Sequence, residues 1–100
     1  MRISQQQAQI IVEKVAEVLP NTKHVLLFGS RVDDRLKGGD IDVYVEANGD
    51  VENPAEINAI ITTKLQVALH EQKIDVLFFA PNLHELPIHR IAKETGVALK

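Results

Sequence analysis

Cysteine is absent from this sequence of 100 residues. The absence excludes a disulfide framework, a zinc site with cysteine ligands and a cysteine nucleophile. The four histidines have neither zinc-helix spacing nor cysteine companions, so we expect them on the surface. They are His24, His70, His84 and His89. Candidates for chemistry therefore have to be sought among other residue types.

Long apolar runs and an excess of basic charge are also missing. The longest apolar runs, at residues 25–28 and 76–80, are far below the roughly 20 residues that a membrane-spanning helix needs. Residues 1–7 lack the apolar stretch of a secretory signal. A formal net charge of −3 gives no strongly basic field for nucleic acid. We therefore expect a cytoplasmic protein that binds no membrane and does not by itself bind nucleic acid strongly.

The overall composition, with 45% hydrophobic and 25% charged residues, is typical of one globular domain, which we place at residues 1–100. Ser4 and Gln7 form a capping-box pattern before a first helix, which ends at Pro20. Apolar runs predict strands at 24–28, 40–46 and 74–80, and apolar periodicity predicts helices at 54–70 and 86–94. The core-facing residues predicted on the first of these helices are Ile57, Ile60, Ile61, Leu65 and Ala68, and the second carries the apolar residues Ile88, Ile91 and Ala92. We therefore predict an α/β domain in which helices pack on a small three-stranded sheet. The pattern leaves a parallel and a mixed sheet open, and we expect a mixed one.

A possible phosphate-binding turn, Gly29-Ser30, follows the first strand. Gly29 has no Cβ and lets a ligand approach the backbone, and the free N–H groups of a short helix starting at Ser30 would attract phosphate. The same residues are also compatible with a plain turn in which Ser30 and Asp33 form a capping box. Taken alone, the turn is weak evidence for a nucleotide site.

Two aspartates alternate along the second predicted strand. Asp40 and Asp42 therefore project from the same face of that strand. Strands are depleted in aspartate and two carboxylates so close repel one another, so a cation such as Mg²⁺ between them is one explanation for the pair. The other explanation is that the two aspartates lie at a solvated start of the strand. Tyr44 shares this face and either stacks on a base or packs in the core.

Asp75 is a third candidate metal ligand. Strand alternation places it on the same face as Leu77 and Phe79, where an unpaired charge is costly. Either Lys73 pairs with it, or Asp75 lies on a strand next to Asp42 and completes a cluster of three carboxylates. Such a cluster could hold two metal ions and align an in-line displacement at phosphorus.

Three segments together resemble a known family. Gly29-Ser30-Arg31, Asp40-Ile41-Asp42 and Lys73-Ile74-Asp75-Val76 resemble the motifs of the DNA polymerase beta-like nucleotidyltransferases. The sequence is most similar to the minimal nucleotidyltransferases (MNT), the antitoxin half of the prokaryotic HEPN–MNT pairs. The resemblance covers nearly the whole chain, including residues 88–96. Residues 31–39 form a nine-residue spacer, one residue shorter than is usual in that family.

The resemblance implies a nucleotidyltransferase-like fold and a Mg²⁺-dependent protein adenylyltransferase. It implies that Gly29, Ser30 and Arg31 bind the nucleotide triphosphate, with ATP as the substrate. It also implies that Asp40 and Asp42 bind Mg²⁺, and that Asp75 binds a second Mg²⁺ and helps deprotonate or orient the attacking hydroxyl. The expected reaction transfers AMP to a tyrosine of a HEPN ribonuclease toxin and so neutralises the toxin.

Two other functions stay open. The chain is alternatively a non-catalytic antitoxin that inhibits its partner by binding, although the presence of all three carboxylates favours the enzyme. A sugar-nucleotide transferase also holds a metal with an Asp-x-Asp motif, but 100 residues are few for its two substrate sites. The exposed faces of the first and last helices, with Arg90 and Lys93 among apolar neighbours, are either candidates for the partner contact or ordinary solvated faces.

Overall fold

The computed structural model describes residues 3–29 and 40–100, which form three helices and four strands. In chain order these are α1 (Gln5–Val18), β1 (Thr22–Phe28), β2 (Ile41–Ala47), α2 (Pro54–Leu69), β3 (Ile74–Phe79), α3 (Pro87–Thr95) and β4 (Val97–Ala98). The predicted α/β class is confirmed. The short helix expected to begin at Ser30 lies outside the described residues. No helix in the described part of the chain is long and apolar enough to cross a membrane.

The four strands form one mixed sheet in the order β3-β2-β1-β4. β1 is antiparallel to both β2 and β4, whereas β2 and β3 are parallel. The mixed sheet was expected, but the prediction of three strands was wrong. The missed strand, β4, consists of Val97 and Ala98, which pair with Leu27 and Leu26. Two residues are too few to show the alternation by which a strand is recognised in a sequence.

The two faces of the sheet are covered differently. One face packs against α1 and α2 through the main core, which includes Ile11, Val15, Leu27, Val43, Val45, Ile61 and Leu65. The other face carries α3 over a smaller cluster built on Leu26, Tyr44 and Ala92. Because side chains alternate along a strand, the even-numbered residues of β2 face α3. Asp42 therefore lies on the same face as α3.

The helix start signals are largely confirmed. The Ser4 hydroxyl accepts a hydrogen bond from the Gln7 N–H at 3.0 Å, and the Gln7 side chain accepts one from the Ser4 N–H at 2.8 Å. Asn53 is the N-cap residue of α2 but its side chain makes no capping hydrogen bond, and Gly96 is the C-cap residue of α3. The core prediction for Ile60 was wrong, because its neighbour Ile61 takes the inward position and Ile60 is 39% exposed.

α3 contradicts one further prediction. His89 is buried rather than on the surface, since its Nδ1 accepts the Leu86 N–H at 2.9 Å and its ring lies 5.0 Å from that of Phe79. Of the apolar residues on this helix, Ala92 is buried, whereas Ile88 and Ile91 are exposed. His89 takes the inward position because the sheet beneath offers it aromatic rings, and this rotation turns the two isoleucines outward.

Candidate active site

Three carboxylates meet at one end of the sheet. Asp40 immediately precedes β2, and Asp42 lies within it. The register pairs Asp42 with Phe28 of β1 on one side and with Asp75 of β3 on the other. The structure therefore places Asp75 on the strand next to Asp42, as the cluster hypothesis required. Because β2 and β3 are parallel, both aspartates lie near the starts of their strands, beside the end of β1.

The surroundings of Asp42 and Asp75 raise the pKa values of both carboxyl groups. Burial raises the pKa of Asp42, and the charges of Asp75 and Asp40 raise it further. A side-chain hydrogen bond with Asp40 raises the pKa of Asp75, and burial and the charge of Asp40 add to that effect. Each shift favours neutralisation of the carboxylate, either by a proton or by a bound cation.

Lys73 does not neutralise the cluster. Among the described residues, the structure contains no ion pair between Lys73 and Asp75. The hydrogen bonds of Lys73 involve the backbone: the Lys73 backbone N–H donates to the Glu71 side chain at 3.1 Å, and the Lys73 carbonyl accepts from the Ile41 N–H at 2.9 Å. The interpretation of Asp75 as half of a structural pair with Lys73 is therefore wrong.

Gly29 packs directly against the acidic cluster. Its φ of +77° lies in the left-handed region that side chains disfavour. A Cβ built at Gly29 would overlap Asp42 Oδ2 and come within 3.2 Å of Asp42 Cγ. Two independent constraints, the backbone conformation and the contact with Asp42, thus require glycine here. The other two proposed nucleotide-binding residues, Ser30 and Arg31, lie outside the described residues.

A cleft of about 380 Å³ opens onto the cluster. Its walls combine two acids with four apolar residues: Phe28, Asp42, Asp75, Val76, Leu77 and Ile88. Sequence reasoning missed Phe28 and Ile88 as site residues. For Phe28 a signal existed, because it directly precedes Gly29. For Ile88 none existed, since its place at the cleft depends on how α3 is rotated on the sheet.

Tyr44 does not contribute to the cleft. It is completely buried, and its hydroxyl donates to Glu46 Oε1 at 2.5 Å. Glu46 is itself buried, and burial together with this carboxylate raises the pKa of Tyr44. Of the two roles considered for Tyr44, the structure supports packing and not stacking on a base.

The donor set fits Mg²⁺ bound together with a phosphate. Within residues 3–29 and 40–100, no three acidic or histidine side chains are already arranged to hold a metal ion. Mg²⁺ does not need such a cage, because it typically takes one or two carboxylates and completes its shell with water and phosphate oxygens. Asp40, Asp42 and Asp75 supply only oxygen, and a cation would relieve the repulsion that raises the pKa values of Asp42 and Asp75.

Solved structures with a similar fold are nucleotidyltransferase-type proteins. The MNT antitoxin in complex with the tri-AMPylated HEPN toxin of Shewanella oneidensis is similar with a TM-score of 0.68, at 22% identity, over 97% of this chain and 72% of that chain. A toxin–antitoxin structure with AMP-PNP has a TM-score of 0.71 at 20% identity, over 98% of this chain and 73% of that one. A Sulfolobus solfataricus protein assigned as a nucleotidyltransferase has a TM-score of 0.59 at 23% identity, over 94% of this chain and 77% of that one.

No protein-family model and no curated protein matches the sequence. The structural likeness nevertheless defines the class: the chain has a nucleotidyltransferase fold. Within that class, its fold is that of the MNT antitoxins. The resemblance inferred from the three motifs is confirmed at the level of the fold.

Proposed function

We propose that this chain is a nucleotidyltransferase antitoxin that transfers AMP from ATP to a hydroxyl, a tyrosine in particular, of a HEPN-domain toxin. The observation that carries the proposal is the register of β2 and β3. It places Asp42 beside Asp75, with Asp40 just before Asp42 on the same strand face, in a fold shared with the MNT antitoxins. The complexes with AMP-PNP and with a tri-AMPylated toxin among the structural neighbours support the choice of nucleotide and acceptor.

The reaction is a displacement at the α-phosphorus of ATP. The acceptor oxygen forms a bond to this phosphorus while the bond to the bridging oxygen of the β-phosphate breaks. Pyrophosphate leaves with the electron pair of the broken bond, and the hydroxyl proton passes to a carboxylate oxygen of Asp75. The Asp75 carboxylate lines the cleft, so it would also orient this hydroxyl.

The remaining site residues bind and orient the nucleotide. Asp40, Asp42 and Asp75 would hold two Mg²⁺ ions, which neutralise the charge of the phosphates when bound. Gly29, Ser30 and Arg31 are proposed to bind the triphosphate. The exposed left-handed backbone of Gly29 lies against Asp42, so a phosphate at this turn would be next to the metal ligands.

Intact-mass spectrometry of the partner tests this function. A HEPN-domain toxin that binds this chain is incubated with the chain, ATP and Mg²⁺, and it should gain mass in whole AMP units. The gain should disappear when Asp40→Asn and Asp42→Asn are combined, while the complex still forms. Asp50→Asn, in an exposed turn, is the matched control and should leave the gain unchanged.

The opposite outcome would identify the alternative function. If the partner stays unmodified but its ribonuclease activity is blocked stoichiometrically, the chain is a non-catalytic antitoxin that acts by binding. The combined aspartate variant would then inhibit the partner as well as the wild type does.

A further inference from the structure

α3 turns two isoleucines away from the sheet. Ile88 and Ile91 are 43% and 51% exposed, whereas His89 between them is only 6% exposed. Ile88 and Ile91 are three residues apart and therefore adjacent on the helix surface. Single exposed apolar residues are ordinary, but a continuous exposed apolar surface is typical of an interaction site. Ile88 and Ile91 are called the α3 flank below.

Polar contacts hold the helix in this orientation. His89 accepts the Leu86 N–H and packs on Phe79. Lys93 Nζ lies 2.8 Å from Glu85 Oε2 and 5.7 Å from the centre of the Phe79 ring. Rotating the helix to bury the isoleucines would break these contacts. The outward position of the α3 flank is therefore built into the fold.

The α3 flank is continuous with the acidic cleft. Ile88 lines the cleft together with Asp42 and Asp75. Ile91 lies one turn further along α3, in a separate hollow of about 360 Å³ lined by Glu85, Pro87, Arg90, Ile91 and Glu94. A molecule that covers the whole flank therefore also reaches the carboxylates.

The extent of the flank indicates what covers it. A nucleotide or a small acceptor bound at the carboxylates could contact Ile88, but the hollow at Ile91 is not part of that cleft. A protein surface can fill both at once. Arg90 Nε lies 3.5 Å from Glu85 Oε1, and because the Arg90 side chain is 70% exposed at the rim, its guanidinium can also contact an acidic residue of the partner beside the apolar contact.

We propose that the α3 flank is the docking surface for the protein that presents the acceptor hydroxyl. This inference rests on the proposed function, because that function requires a protein to reach Asp75. The partner contributes apolar side chains that pack on Ile88 and Ile91, with an acidic residue facing Arg90. Its hydroxyl-bearing residue then projects past Ile88 into the cleft.

Binding measurements on two matched variants test the proposal. Ile91→Gln alters the flank outside the acidic cleft, and Val67→Gln alters a still more accessible apolar residue, 69% exposed, on α2 across the sheet. By calorimetry with a HEPN-domain toxin that binds this chain, Ile91→Gln should weaken binding by about tenfold or more. Val67→Gln should stay close to the wild type. The loss for the partner should clearly exceed any loss for a non-hydrolysable ATP analogue with Mg²⁺.

Labelling adds a readout that does not depend on affinity. Because the chain has no cysteine, Ile91→Cys and Val67→Cys each create a single site for a nitroxide. Addition of the partner should immobilise the nitroxide at position 91 and leave the one at position 67 mobile. Sedimentation of the unmixed chain checks for a second copy of this chain on the flank.

The outcomes separate the docking surface from the function. If Ile91→Gln binds and modifies the partner like the wild type, the docking surface is wrong and the transfer function stands. If binding depends on Ile91 but the wild type transfers no AMP, the docking surface stands and the transfer function is wrong. Self-association that Ile91→Gln abolishes would assign the flank to a second copy and overturn the proposal.

Discussion

At the scale of single residues, Gly29 connects the backbone to the acidic cluster. We predict that Gly29→Ala destabilises the fold by about 1–2 kcal/mol, because alanine is strained at a positive φ, and that it abolishes nucleotide binding by displacing Asp42. Thermal unfolding followed by circular dichroism and calorimetry with an ATP analogue measure the two effects. Gly49→Ala is the control, since nothing lies within 4 Å of a Cβ there. Equal behaviour of the two variants would contradict the prediction.

Removing the charge of Asp75 should stabilise the fold, because Asp75 lies opposite Asp42 on the neighbouring strand. Like charges directly opposite one another destabilise a sheet, here by about 0.5 kcal/mol because Asp75 is exposed. Asp75→Asn removes this repulsion and should therefore raise the Tm in EDTA by about 2–4 °C at pH 7. The same variant should abolish AMP transfer, because it removes a proposed metal ligand and proton acceptor. A lower Tm would instead indicate that Asp75 has a structural partner.

The gain in Tm from Asp75→Asn should increase with pH. Folding raises the pKa values of Asp42 and Asp75, so the folded chain holds these protons more tightly than the unfolded chain does. This tighter proton binding adds to the free energy of unfolding. The contribution is fully present below the ordinary aspartate pKa of about 4 and is lost as the pH rises through the raised pKa values of the folded chain. The Tm difference between Asp75→Asn and the wild type should thus grow from pH 4 upward. Asp50→Asn should show no such trend.

At the scale of elements, α3 rests on a buried polar pair. The Tyr44 hydroxyl donates to Glu46, and the Glu46 carboxylate also lies 3.8 Å from Lys23 Nζ. Tyr44→Phe should cost about 1–3 kcal/mol, because the Glu46 carboxylate stays buried without its donor. Combining it with Glu46→Leu should recover part of the loss, since no buried charge then remains. Hydrogen exchange of the α3 amides, together with the Tm, measures both effects, and equal losses in the two variants would contradict the argument.

The same elements explain what sequence reasoning could predict. Alternation alone placed Asp40 and Asp42 on one strand face, because the side-chain period of a strand is fixed. The pairing of Asp42 with Asp75 depends on a parallel register between strands that are distant in the chain, so it could be only a hypothesis. Likewise, helical periodicity predicts that α3 has an apolar side. Which side faces the sheet is decided by the aromatic rings beneath His89, and those come from other elements.

At the scale of the whole molecule, the carboxylates and the acceptor are proposed to lie on different proteins. In-line transfer to a hydroxyl requires the acceptor oxygen to be held close to the α-phosphorus, and such positioning supplies much of the catalysis in phosphoryl-type reactions. We therefore predict that the isolated chain releases pyrophosphate from ATP very slowly, at a rate at least about 100-fold below that with the HEPN-domain partner.

A coupled assay for pyrophosphate, run with and without the partner, measures this ratio. A partner whose acceptor tyrosine is changed to phenylalanine is the decisive control, because it still docks but offers no oxygen for attack. Pyrophosphate release should then fall back to the rate of the isolated chain. If the phenylalanine variant accelerates release as much as the unchanged partner, docking activates attack by water. The chain would then be an ATP-cleaving enzyme stimulated by its partner, and the partner would not be its substrate.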